Sequence, residues 1–187
     1  MIKIQWGRTV GSWLVQDGAG SPAENKIPGV VPPLTLVLGF GNVLLSDDGA
    51  GVRIVERLRS ELGAEAADFI DAGTLSFSLL PYIEATDSML MVDAGDINLS
   101  PGTTRLFEDT AMDAFLSSAR RRTVHEVGLI DLLDMSRLRD CLPRRRALLC
   151  IQPSRIDWSE QLSAPVAHAL PEAARQAAAL LQRWSNT

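Results

Sequence analysis

Leu34-Thr35-Leu36-Val37-Leu38-Gly39-Phe40-Gly41, followed by the segment 51–62, decides the reading of the fold. The first stretch is a near-continuous apolar run, the pattern of a strand buried on both faces of a parallel sheet. The second carries Val52, Val55 and Leu58 at helical spacing, which predicts an amphipathic helix. Downstream the alternation continues. Residues 68–72 read as a second strand, 77–85 as a helix, and 88–92 as a third, almost wholly apolar strand. A strand over 103–107, helices over 111–119 and 127–138 and a strand over 146–152 come next. The chain closes in an Ala/Leu-rich helix over 165–184 that Pro171 could break. This order predicts a single three-layer α/β/α domain with a mainly parallel twisted sheet, spanning 34–187.

Residues 1–33 stand apart as an N-terminal arm and linker. Ile2, Ile4 and Trp6 alternate in strand fashion, and 17–33 is rich in Gly, Ala, Ser and Pro without a sustained period. Trp6 and Trp13 are expected to pack the arm onto the domain. The chain's 187 residues, 46% hydrophobic and 22% charged, suffice for one domain with a substantial core. A net charge of −5 and short, scattered arginine clusters argue against nucleic acid as a partner. Arg120 to Arg122 and Arg144 to Arg146 read as solvated loop ends. Cys141 and Cys150 are too few for a disulfide framework, and Cys150 sits in an apolar run where a buried thiol is usual. No stretch approaches the ~20 apolar residues needed to cross a bilayer. The N-terminus lacks the apolar run of a secretory signal, so a reducing, cytoplasmic setting is expected.

In open α/β sheets ligands collect beyond the carboxyl ends of the strands, near the point where strand order reverses. Four acids fall at such ends: Asp47 and Asp48 after the first strand, Asp71 at the end of the second, and Asp93 at the end of the third. Asp47 or Ser46 could equally cap the following helix and complement its dipole. That explanation serves Asp93 less well, because an acid closing an apolar strand needs hydrogen bonds, a cation or solvent. Of the two histidines, His125 sits at the start of a helical pattern, while His168 lies among Ala and Leu and reads as a surface or packing residue. Two carboxylates and an imidazole suit nickel, zinc, iron or manganese and leave coordination positions open. Asp48, Asp93 and His125 are the expected set.

Five motifs then combine in a fixed order: Gly39-Phe40-Gly41-Asn42, Leu45-Ser46-Asp47-Asp48-Gly49-Ala50-Gly51-Val52, Asp71-Ala72-Gly73-Thr74, Val92-Asp93-Ala94 and His125-Glu126-Val127-Gly128-Leu129. Together they resemble the hydrogenase maturation endopeptidases, from about Leu34 to the closing helix. The resemblance implies an enzyme that removes a C-terminal peptide from the precursor of the nickel-iron hydrogenase large subunit once nickel is in place. It implies that Asp48, Asp93 and His125 contact nickel already held by cysteines of the precursor. It further implies that the protease has no tightly bound metal of its own and that Asp71 takes part in cleavage. Asp48 stands where relatives carry Glu or Asp, and its shorter side chain requires closer backbone approach. No Ser-His-Asp or Cys-His arrangement is visible at these motifs, so the nucleophile is expected to be water, with Asp71 or Asp93 assisting proton transfer.

Three other readings of the same residues remain open at this stage. A metallohydrolase holding its own zinc or manganese could use the same ligands. A phosphoacceptor receiver domain also places acids after its first and third strands, but such domains carry a lysine near the end of the fifth strand. Here Lys3 and Lys26 are the only lysines, and both precede the domain. A dinucleotide-binding domain fits less well, because Leu44 occupies the last glycine position of that fingerprint and the acid pair would repel pyrophosphate. Oligomeric state is not legible.

Overall fold

The computed structural model describes the backbone of residues 12–14, 24–26, 35–74, 77–119 and 124–186, and the side chains of 35–74, 78–117 and 129–186. The chain divides into Met1–Pro33 and Leu34–Thr187. In the first unit Ser12–Leu14 (β1) pairs antiparallel with Glu24–Lys26 (β2). The second strand falls inside the stretch read as linker. Its three polar residues offer no apolar alternation by which to detect it. The expected packing of Trp6 and Trp13 lies outside the described side chains.

In the second unit the apolar runs build the middle of a sheet. Thr35–Phe40 (β3), Asp68–Gly73 (β4), Ser88–Ala94 (β5), Thr104–Glu108 (β6) and Arg145–Ile151 (β7) lie in the order β4-β3-β5-β7-β6. The first four are parallel, and only the edge strand β6 runs antiparallel, against β7. All seven residues of β5 are buried, as a central strand covered on both faces requires. Edge strand β4 is buried only in part.

Period-two alternation divides the core into two sides. Val37, Leu90, Val92 and Leu149 pack with Ile54 and Leu58 of Ala50–Leu62 (α1) and with Ala173, Ala177 and Leu180 of the closing helix. Leu36, Leu38, Met89, Met91 and Leu148 pack on the opposite face with Leu80 and Ile83 of Leu80–Glu84 (α2), Met112 of Asp109–Ala119 (α3), and Leu129 and Leu132 of Val124–Leu138 (α4). The result is the three-layer α/β/α arrangement with a mostly parallel sheet.

Several boundaries differ from the sequence reading for local reasons. The segment read as one helix over 77–85 is a 3-10 turn, Phe77–Leu79, followed by the short α2. The closing helix, Ala164–Ser185 (α5), runs unbroken through Pro171. Pro171 and Ala167, whose carbonyl would have bonded residue 171, are both exposed, so water can satisfy the oxygen that proline leaves unpaired. Two of the arginines read as solvated loop ends are structural. Arg145 Nη1 donates to the Trp184 carbonyl at 2.6 Å, and Arg146 makes a forked contact with Asp113 at 2.5 and 3.2 Å. Among the described residues no helix is long and apolar enough to cross a membrane.

Candidate active site at the carboxyl end of the sheet

Strand β3 has β4 on one side and β5 on the other, so strand order reverses there and a crevice opens beyond the ends of β3 and β5. The start of α1 fills it. A Cβ on Gly51 would stand 2.3 Å from the Val92 carbonyl oxygen and 2.4 Å from that of Phe40, so the helix touches the ends of both strands. Gly41, at φ +115°, lies against the Asp48 carbonyl, where a Cβ would meet the oxygen at 1.8 Å. Glycine at these two positions brings the 3-10 turn Ser46–Gly49 against β5. Asp48 on the turn and Asp93 at the end of β5 are thereby placed at the same end of the sheet.

Both residues are nearly closed to solvent, at 4% and 5% exposure. Asp48 Oδ2 accepts the Asn42 backbone N–H at 2.7 Å, which folds the Asn42 loop around it. Asp93 has Cys150 as its register partner, and alternation along β5 puts it on the face that Met89 and Met91 share with α4. α4 begins at Val124, three residues earlier than its pattern suggested. The side chain of His125 lies outside the described residues. Among the described residues, no three His, Cys, Asp or Glu side chains form a cluster that could hold a metal.

Asp71 stands elsewhere on the same rim. Gly39 of β3 is level with Asp71 on one side and with Val92 on the other, which separates the β4 and β5 backbones by ~10 Å. Asp71 is exposed, and its Oδ1 accepts the Gly73 N–H at 2.9 Å in an Asx turn. The Gly73 carbonyl in turn accepts the Gly41 N–H at 2.8 Å, linking this turn to the loop that carries Asp48. His168 is exposed on α5, away from these motifs in sequence.

Asp47 has a different part. It does not cap α1; its side chain turns to the segment after β7. Oδ2 accepts the N–H groups of Ser154 and Arg155 at 2.8 and 3.1 Å and the Ser163 hydroxyl at 2.8 Å, while Oδ1 accepts the Ser163 N–H at 2.6 Å. Burial opposes its ionisation, but the bonds from Ser163, Ser154 and Arg155 outweigh burial and hold the carboxyl below its ordinary pKa. Ser46, at φ +47°, adds a bond from its hydroxyl to the Arg155 carbonyl at 3.1 Å. These contacts are invisible in sequence because the partners lie more than 100 positions away.

A depressed carboxyl pKa stabilises the fold above the unfolded value of ~4, and that contribution is lost as pH falls through the folded value. Asp47→Asn would turn an amide N–H₂ toward N–H donors. It is expected to cost about 3 kcal/mol and to lower Tm by about 10 °C at pH 7. The gap between the two proteins should narrow as the solution is acidified below about pH 4. Equal melting curves at pH 7 would remove Asp47 as the clamp of this segment.

With this geometry in hand, residues 52–180 match the family model described as hydrogenase maturation protease. The chain belongs to the hydrogenase maturation protease family. It is 34% identical over 155 residues to the hydrogenase expression/formation protein HupD of Rhizobium leguminosarum bv. viciae, covering 81% of this chain and 76% of HupD. It is 30% identical over 149 residues to the hydrogenase 2 maturation protease of Escherichia coli K12, covering 79% of this chain and 90% of that one. Among solved structures, the hydrogenase maturating endopeptidase HybD from E. coli superposes with a TM-score of 0.72 at 28% identity, over 80% of this chain and 92% of HybD. The family resemblance read from the five motifs is therefore borne out, and with it a peptide-bond hydrolase. The dinucleotide-binding and receiver readings give way. A receiver-like order 2-1-3-4-5 also differs from the order here, where the last strand in sequence lies inside an antiparallel edge strand.

Proposed function

We propose that this protease removes the C-terminal extension of a nickel-loaded nickel-iron hydrogenase large-subunit precursor. In this reading Asp48, Asp93 and His125 contact nickel that the precursor's own cysteines already hold. The metal arrives with the substrate, and the protease keeps none tightly bound. The observation that carries the reading is the pair of buried carboxylates, Asp48 and Asp93, at the carboxyl end of the sheet in a member of this family. Carboxylate oxygens together with an imidazole suit a divalent transition ion. The work is assigned to the cytoplasm.

Cleavage in this reading uses water. The precursor's nickel polarises the scissile carbonyl or the water, water adds to the carbonyl carbon, and Asp71 or Asp93 takes the proton that water loses. The amide C–N bond then breaks, and the leaving amine takes up a proton. The exposure of Asp71 on the rim, one strand beyond β3, leaves it open to an incoming peptide. Asp71→Asn keeps an oxygen to accept the Gly73 N–H, so the turn should persist while the proton acceptor is lost. The expected result is unchanged precursor binding with cleavage slowed about 100-fold or more. Normal turnover by that variant would remove Asp71 from the chemistry.

The reading as a whole is tested by the intact mass of a large-subunit precursor incubated with the protein, with and without nickel loading. Loss of one discrete C-terminal peptide, only from the loaded form, is expected. Failure to cleave several correctly loaded precursors would overturn it.

A further inference from the structure

We propose that Val43, Leu44, Ile156 and Trp158 form the docking surface for an apolar segment of the protein substrate, beside Asp48. The proposal deepens the proteolytic reading above and rests on it. These side chains are 36%, 46%, 52% and 82% exposed, respectively, although each is large and apolar. They come from two segments, one following β3 and one following β7, that are joined as a unit. Leu45 and Ser159 form a parallel bridge, the Ser46 N–H donates to the Ser159 carbonyl at 2.6 Å, and the Ser159 N–H donates to the Leu44 carbonyl at 3.0 Å. Leu44 and Trp158 immediately precede the bridge on its two strands and so stand level with one another.

The exposure of Trp158 is built in. The four bonds to Asp47 hold both ends of the segment that carries it, at Ser154, Arg155 and Ser163. An aromatic on a held loop is pre-organised, so a ligand that covers it loses little to ordering. The surface is continuous with the buried carboxylate, because Asn42, next to Val43, donates its N–H to Asp48.

The chemistry of the occupant follows from charge and size. Arg155 and Asp157, the charged neighbours that alternate with Ile156 and Trp158, face each other at 3.7 Å and offset one another. The patch therefore selects apolar side chains over charged ones. The patch presents four large apolar side chains, far fewer than the ~20–30 residues a side of a stable dimer interface. A second copy of this chain would be held too weakly, whereas one short segment of a substrate anchored also at Asp48 needs no more.

Steady-state cleavage of nickel-loaded precursor by Trp158→Ala, Trp158→Phe and the unmutated protein tests the proposal. Trp158→Ala is expected to raise KM about thirtyfold with kcat little changed, and Trp158→Phe to recover most of the loss. Loss of Trp158 should leave the melting curve unchanged, since the side chain is exposed. An unchanged KM in an active Trp158→Ala variant would overturn the docking surface and leave the proteolytic reading standing. No cleavage by the unmutated protein would overturn that reading and the docking surface with it. A dimer in sedimentation that Trp158→Ala dissolves would make a second copy the occupant, which also overturns the proposal.

Discussion

Asp48→Ala is expected to fold and to lose cleavage of nickel-loaded precursor by at least about a hundredfold in kcat/KM. In the proposed reading its carboxylate is one of the two that contact the metal, so removing it takes away a metal contact. The structural cost is smaller. The Asn42 N–H would lose its acceptor, a loss of about 1–3 kcal/mol, which a domain with two large apolar core faces can absorb. Asp48→Asn separates the effects, because its amide oxygen can still accept from Asn42 while the charge is gone. Activity should therefore rank unmutated protein, then Asn, then Ala, while Tm of the Asn variant stays close to that of the unmutated protein. Wild-type processing of loaded precursor by Asp48→Ala would take Asp48 out of metal recognition.

Where the chemistry of a residue is local, the sequence was sufficient. The run from Leu36 to Phe40 and the fully buried β5 are apolar on both faces, and such runs read directly as central parallel strands. Asp48, Asp71 and Asp93 were legible for the same reason: each follows or closes a strand in an order that puts strand ends on one rim. Four of the five motifs carrying the family resemblance lie at or beside those ends, and the fifth lies at the start of α4. What sequence could not show depended on distant partners. Asp47 looked like a helix cap because its neighbours in sequence are a turn and a helix, yet its four donors come from Ser154, Arg155 and Ser163. The same distance hid the pairing of Leu45 with Ser159, and so the joining of Leu44 and Trp158 into one surface. Pro171 misled in the opposite direction: a local rule marked it as a break, and solvent exposure of the helix at that point removes the cost.

Gly51→Ala should be among the most damaging single-methyl changes in the domain. In an ordinary helix this substitution stabilises by about 0.5–1 kcal/mol. Here the added carbon would lie 2.3 Å from the Val92 carbonyl oxygen and 2.4 Å from that of Phe40. Both oxygens belong to the ends of central strands held by neighbours on each side, so neither can swing away as the end of a side chain could. The helix must retreat instead, taking Ile54, Val55 and Leu58 out of their contacts with the sheet. The expected cost is about 3 kcal/mol or more, seen as a fall in Tm of about 10 °C. Retreat of α1 also draws the turn carrying Asp48 away from β5 and Asp93. Cleavage measured well below the lowered Tm should therefore remain depressed in the fraction that is folded. A Gly51→Ala protein that melts and cleaves like the unmutated one would mean that the start of α1 is not wedged between β3 and β5, and that the placement of the Asp48 turn against β5 does not depend on that contact.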